Sequence, residues 1–200
     1  MWIDQLVALA IAKRWEVLAA ITGIISVYLS TRENIWSWPT ALVNVALYFV
    51  VFLEAKLYAD MGLQVVYFAL SLYGWYEWLY GGENRTELHV SRTSQALGVR
   101  LAVIGIACAA LLGTLLARFT DAALPYIDSA TTSTSLVAQW MMTRKILENW
   151  AVWVAVDVVY IAMFIFKRLY LTAGLYAVFL VLAVIGYVQW KRSLAERSPA

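Results

Sequence analysis

Long apolar stretches separated by short polar clusters set the pattern of this chain. A bilayer core takes about 20 helical residues, or about 17 where the bilayer thins. Seven stretches reach that length, near 15–31, 36–53, 61–80, 96–117, 125–143, 148–166 and 169–190. The charges fall between them, at Thr31-Arg32-Glu33, Glu54-Ala55-Lys56, the run Glu83 to Arg92, and Arg118. That placement follows from the several kcal/mol that a charge costs at the bilayer centre. Within 119–135, Pro125, Asp128 and the run Thr131-Thr132-Ser133-Thr134-Ser135 fit either a loop or the polar start of the fifth span. The first residues carry Asp4 and Gln5 inside a short apolar stretch, which suits an interfacial helix better than a cleavable signal. The pattern therefore predicts an all-α integral membrane protein. It has an interfacial segment at 1–14, a three-helix bundle at 15–80, a polar linker at 81–95, a connecting helix at 96–118, a second bundle at 119–190 and a polar tail at 191–200.

Sliding 31–78 onto 143–190, a shift of 112 without a gap, exposes an internal repeat. It matches Thr31/Thr143, Arg32/Arg144, Trp38/Trp150, Tyr48/Tyr160, Phe52/Phe164, Leu57/Leu169, Tyr58/Tyr170, Gly62/Gly174, Leu63/Leu175, Val66/Val178, Leu70/Leu182, Gly74/Gly186 and Trp78/Trp190, 13 identities in 48 positions. Matches of Leu and Val come cheaply in an apolar alphabet, whereas tryptophan and glycine pairs at one fixed offset do not. A period of four spans makes both copies enter the membrane in the same direction, so the seven spans form a parallel 3+1+3 repeat. Parallel repeats of this kind belong to transporters that hold substrate between their halves. Lys and Arg number nine on the side of Arg32, Arg85 and Arg144 and six on the other, which places the N-terminus outside and the C-terminus in the cytoplasm.

Composition narrows the chemistry. Hydrophobic residues make up 63% of the chain and mean hydropathy is +0.72, so lipid is the solvent for most of the surface. A net charge of +2, without a basic stripe, gives no purchase for nucleic acid. One cysteine, Cys108, and one histidine, His89 in the linker, leave no multi-ligand metal site, and no hydrolase motif is present. No cofactor and no enzymatic activity are expected.

The polar groups inside the spans are then the candidates for binding. In the sixth span Trp150, Trp153 and Asp157 stand at i, i+3, i+7, two indoles and a carboxylate on one helical side, close to Asn149. Aromatic faces and a buried carboxylate suit a flat cation. The other use of the same residues is as interfacial tryptophans with Asp157 paired to a neighbouring helix. Asn44 in the second span and Gln64, Tyr67 and Ser71 in the third offer amides and hydroxyls, either to a ligand or as interhelical glue worth about 0.6 kcal/mol each.

The motifs Leu57-Tyr58-Ala59-Asp60, Leu63-Gln64, Tyr73-Gly74-Trp75-Tyr76-Glu77-Trp78 and Met142-Thr143-Arg144-Lys145, followed by Glu148-Asn149-Trp150 and Trp153, resemble the PnuC family of vitamin transporters over nearly all of 15–192. The resemblance implies a seven-helix fold similar to SWEET sugar transporters, packed as a homotrimer in the inner membrane. It also implies facilitated diffusion of an unphosphorylated vitamin, most often nicotinamide riboside, trapped by a cytosolic kinase that need not touch the transporter. The family's WxxWxxx(N/D) motif falls on Trp150, Trp153 and Asp157, and its polar positions in the second and third spans fall on Asn44 and Gln64. The last motif position is Asn in some members and Asp here, and a carboxylate favours nicotinamide riboside or thiamine over neutral riboflavin. Thiamine remains the rival substrate. A non-transporting structural or sensory subunit is the alternative of another class.

Overall fold

The computed structural model describes residues 14–54, 58–120, 124–166 and 168–197, so the interfacial segment expected at 1–14 lies, except for Arg14, outside the described residues. Among the described residues the helices are α1 Arg14–Thr31, α2 Ser37–Glu54, α3 Tyr58–Tyr80, α4 Gln95–Phe119, α5 Pro125–Thr143, α6 Asn149–Phe166 and α7 Tyr170–Arg197, with a 3-10 turn at Glu83–Arg85. By length and apolar composition alone, α2, α4, α6 and α7 are each able to cross a membrane. The other three are more polar, with Glu16 on α1, Gln64 and Glu77 on α3, and the run 128–135 on α5. Pro125 occupies the first turn of α5, where its missing N–H leaves no bond unmade. Ser94 caps α4 by accepting from the Leu97 N–H at 3.3 Å.

Two boundaries differ from the sequence expectation. Tyr58, not a residue near 61, begins α3, and α7 continues past 190 to Arg197 instead of giving way to a polar tail. Lys191 to Glu196 contains neither Gly nor Pro, and Leu194 packs against the buried tryptophans, so the helix has both the propensity and the contact to continue.

Consecutive helices pack within α1–α2–α3 and within α5–α6–α7, and the two sets meet where α1 lies on α7 and α3 lies on α5. Adding 112 turns α1 into α5, and its inverse turns α7 into α3, so these two junctions are images of one another. The repeat read from sequence is thus the symmetry of the fold. Among the described residues α4 packs mainly on α5 and turns Val103, Ile104, Ile106 and Leu111 outward, as a lipid-facing helix should.

The linker between the copies is held to the second bundle. The Ser91 N–H donates to the Lys145 carbonyl (3.0 Å) and its carbonyl accepts from Leu147 (2.9 Å), while the Thr93 N–H donates to Glu148 Oε2 (2.9 Å). The segment from Leu88 to Thr93 therefore forms a strap beneath the α5–α6 turn, with Val90 buried.

Candidate functional site

Four tryptophans close the bundle on the side of that strap. Trp38 meets Trp78 edge-on at 5.2 Å and 88°, and Trp150 meets Trp190 at 5.4 Å and 86°. Both arrangements are favourable for ring quadrupoles. Trp78 and Trp190 touch across the centre at 5.9 Å. Each pair needs a glycine: a side chain on Gly74 would run into the Trp38 ring, and one on Gly186 into Trp150. The Trp78 indole N–H donates to the Met142 carbonyl (3.0 Å) and the Trp190 N–H to the Ser30 carbonyl (2.9 Å), two bonds related by the same shift, since 30 + 112 = 142.

The turns beside this seal repeat as well. Glu33 and Lys145, repeat mates, both adopt positive φ (53° and 47°), and the Lys145 ammonium lies 3.2 Å from Glu33 Oε2 and 4.5 Å from the centre of the Trp78 ring. Arg144 pairs with Glu77 at 2.5 Å. Two ion pairs, a cation–π contact and two indole hydrogen bonds therefore latch the two bundles together at one membrane face. A vestibule of about 400 Å³ lies outside the latch, bordered by Glu33, Trp36, Glu87 and Lys145.

Behind the seal lies a polar and aromatic layer. Asp157, seven residues after Trp150 on α6, is about 10 Å deeper along the helix, the same depth that Tyr67, seven residues before Gly74, has on α3. Tyr176 on α7 lies within electrostatic reach of Asp157, Tyr160, Tyr67 and Tyr48, so α2, α3, α6 and α7 all send a polar group to this level. Ser135 of α5 stands beside the Tyr67 hydroxyl. Two stacked pairs, Tyr48/Phe52 at 5.7 Å and Tyr160/Phe164 at 5.9 Å, both at 20°, continue the layer away from the seal. Asp157 is 3% exposed, and no hydrogen bond or ion pair from another described residue reaches its carboxylate.

The residues named from sequence divide by depth. Trp150 is 1% exposed inside the seal, and Asn149, fully buried, donates from Nδ2 to the Ile146 carbonyl (2.6 Å) within the turn beside it. Trp153 packs half-buried on the inner side of the tryptophan cluster, and Ser71 is buried at a similar depth on α3. Tyr67 and Asp157 lie in the layer beyond, both within reach of Tyr176. Gln64 is one turn further along α3 than Tyr67, about 4.5 Å away along the axis. The Asn44 amide nitrogen is committed to the Ala19 carbonyl at 2.5 Å, tying α2 to α1. Tyr48, Tyr160, Tyr176 and Ser135 were not singled out from sequence. The repeat held the signal for three of them, because Tyr48 and Tyr160 are one of its identities and Tyr176 stands where Gln64 stands in the first copy (64 + 112 = 176).

A family model described as nicotinamide mononucleotide transporter matches residues 13–192. The chain is 28% identical to the nicotinamide riboside transporter PnuC of Escherichia coli K12, over 91% of this chain and 87% of that one. It is 26% identical to the riboflavin/roseoflavin transporter RibM of Streptomyces davaonensis, over 92% and 91%. A crystal structure of the vitamin B3 transporter PnuC superposes with a TM-score of 0.77 at 23% identity, covering 98% of this chain and 88% of that one, and so shares the fold.

Proposed function

Because the chain belongs to the nicotinamide mononucleotide transporter family, that of the PnuC proteins, we propose that it moves nicotinamide riboside across the bacterial inner membrane by facilitated diffusion. The observation that carries this reading is the buried Asp157 carboxylate behind the tryptophan seal, which no hydrogen bond or ion pair from the other described residues reaches. An unpaired charge inside a membrane protein is costly and marks a place where a partner arrives. A pyridinium ring brings the opposite charge and a flat face. Trp153 walls the ring in, Asp157 offsets its charge, and Gln64, Tyr67, Ser71 and the Asn44 carbonyl oxygen face its amide and ribose. Trp150 and Asn149 then belong to the seal above the ligand.

Alternating access follows from the two bundles rocking about this layer, with the latch of Glu33, Lys145, Trp78 and Trp190 closing the face that the Lys and Arg distribution assigns to the cytoplasm. With no pump, uptake is driven by the cytosolic kinase that removes the free vitamin. The homotrimer and the external N-terminus complete the reading and rest on the resemblance and the charge distribution.

Thiamine is the second reading, because its thiazolium cation suits the same carboxylate, and the riboflavin relative marks the family as hosting more than one vitamin. Calorimetric titration of the purified protein separates them. Nicotinamide riboside should bind with a Kd at least tenfold below that of thiamine, and the reverse order would reassign the substrate while keeping the site.

The latch has its own test. Lys145 and Glu33 are nearly buried, with side chains 7% and 16% exposed, and losing one partner of such a pair costs about 3 kcal/mol. Lys145→Glu should lower the unfolding temperature by about 8 °C, and adding Glu33→Lys should recover at least half of that loss. No recovery would mean that the pair does not join the bundles.

A further inference from the structure

A second pocket, of about 330 Å³, opens on the latch face but outside the seal. Tyr73 of α3, Leu97 of α4, Trp140 and Arg144 of α5, and Ser91 and Arg92 of the strap line it. Helices α3 and α4 both pack on α5, so the pocket ends a groove that has α5 as its floor. Leu72, Tyr76, Val99 and Val103 are exposed along the flanking helices, which puts lipid beside the groove.

The charge on this pocket differs from that of its neighbour. Glu33 and Glu87 border the vestibule over the latch, whereas two guanidiniums and no carboxylate line this one. Arg144 is held in place by Glu77 at 2.5 Å and by the Tyr73 hydroxyl, which accepts from its Nη1 at 3.3 Å, and its side chain stays 36% exposed. Arg92 is exposed on the strap. Between them Leu97 and Trp140 supply an apolar wall.

We propose that this pocket binds the phosphate of an anionic phospholipid of the facing leaflet, with Arg92 and Arg144 on the headgroup and an acyl chain in the groove over α5. Guanidiniums form charge-assisted, paired hydrogen bonds to phosphate. Basic pockets between membrane helices on the cytoplasmic side are where anionic headgroups collect, and Trp and Tyr at that depth match the interface. Arg144 precedes Lys145 in the chain, and Ser91 is bonded to the turn that carries Lys145. A headgroup bridging Arg92 and Arg144 thus clamps strap and turn together next to the latch. The inference does not depend on which vitamin is carried.

The test is thermal unfolding of the full-length protein in detergent, with added phosphatidylglycerol, phosphatidylcholine or soluble glycerol 3-phosphate. Phosphatidylglycerol should raise the unfolding temperature by about 5 °C at saturation. Phosphatidylcholine should not, and Arg92→Gln, which leaves the Arg144–Glu77 pair intact, should abolish most of the rise. Arg144→Gln should abolish it too, from a lower starting temperature. An equal rise with glycerol 3-phosphate that needs both arginines would keep the phosphate site and assign it to a soluble ester. Equal shifts with both lipids, or a full shift in Arg92→Gln, would overturn the proposal.

Discussion

Replacing Asp157 with alanine is expected to cut nicotinamide riboside uptake about 100-fold or more while leaving the amount of folded protein in the membrane unchanged. Removing one partner of a desolvated charge pair costs about 2–5 kcal/mol of binding, and about 2.7 kcal/mol is a factor of 100. Stability moves the other way. The carboxylate is 3% exposed and takes part in no hydrogen bond or ion pair with described residues, so its loss removes a burden from the empty protein. Unfolding temperature should hold or rise as transport falls, a combination that general damage to the fold cannot produce. Asp157→Asn keeps the shape and polarity and should fall between the two, about tenfold below wild type for a cationic substrate. Uptake by proteoliposomes, with immunoblotting for protein content, reads both quantities. Wild-type uptake in Asp157→Ala would remove the carboxylate from the mechanism and the argument for a cation with it.

The contrast between Asp157 and Trp150 explains how far the sequence could be read. Spacing of i and i+7 puts two residues on one side of a helix, and that much is legible from periodicity. It also puts about 10 Å of axial distance between them. That distance separates the seal from the layer behind it, and only the packing of α7 against α6 reveals it, through Gly186 and Trp190 against Trp150. The fold itself was far more legible, because Trp38/Trp150, Gly74/Gly186 and Trp78/Trp190 recur at one offset and each of these recurrences carries a matching contact in space. Features that depend on distant pairing were not. The strap bonds Thr93 to Glu148, 55 positions away, and nothing local in a polar run distinguishes a pinned strap from a free linker. The tyrosine layer was obscured for another reason. In an apolar chain with 12 tyrosines, any one phenol reads as well for an interfacial belt as for a site until four helices are seen to converge on Tyr176.

The same recurrence supports a prediction about stability. Gly186→Leu should leave little folded protein, and even Gly186→Ala should lower the unfolding temperature by about 6–10 °C. A Cβ at Gly186 would lie 2.5 Å from Trp150 Cε2, closer than side chains pack. The indole cannot withdraw, being 1% exposed and held edge-on by Trp190 at 5.4 Å. Overpacking at a site that cannot relax costs up to about 3 kcal/mol, and for a chain of this size that is roughly 6–12 °C. Gly74, which meets Trp38 in the same way, should behave alike. The repeat supplies its own control, because Gly62 and Gly174 match just as faithfully in sequence yet have nothing within 4 Å of an added Cβ. Alanine there should be neutral or stabilising, by up to about 1 kcal/mol from helix propensity. Differential scanning fluorimetry of the four alanine variants decides the matter. If 186 and 74 tolerate alanine as well as 174 and 62 do, the tryptophan seal is looser than its geometry implies, and the latch must rest on the two ion pairs, the cation–π contact and the indole hydrogen bonds.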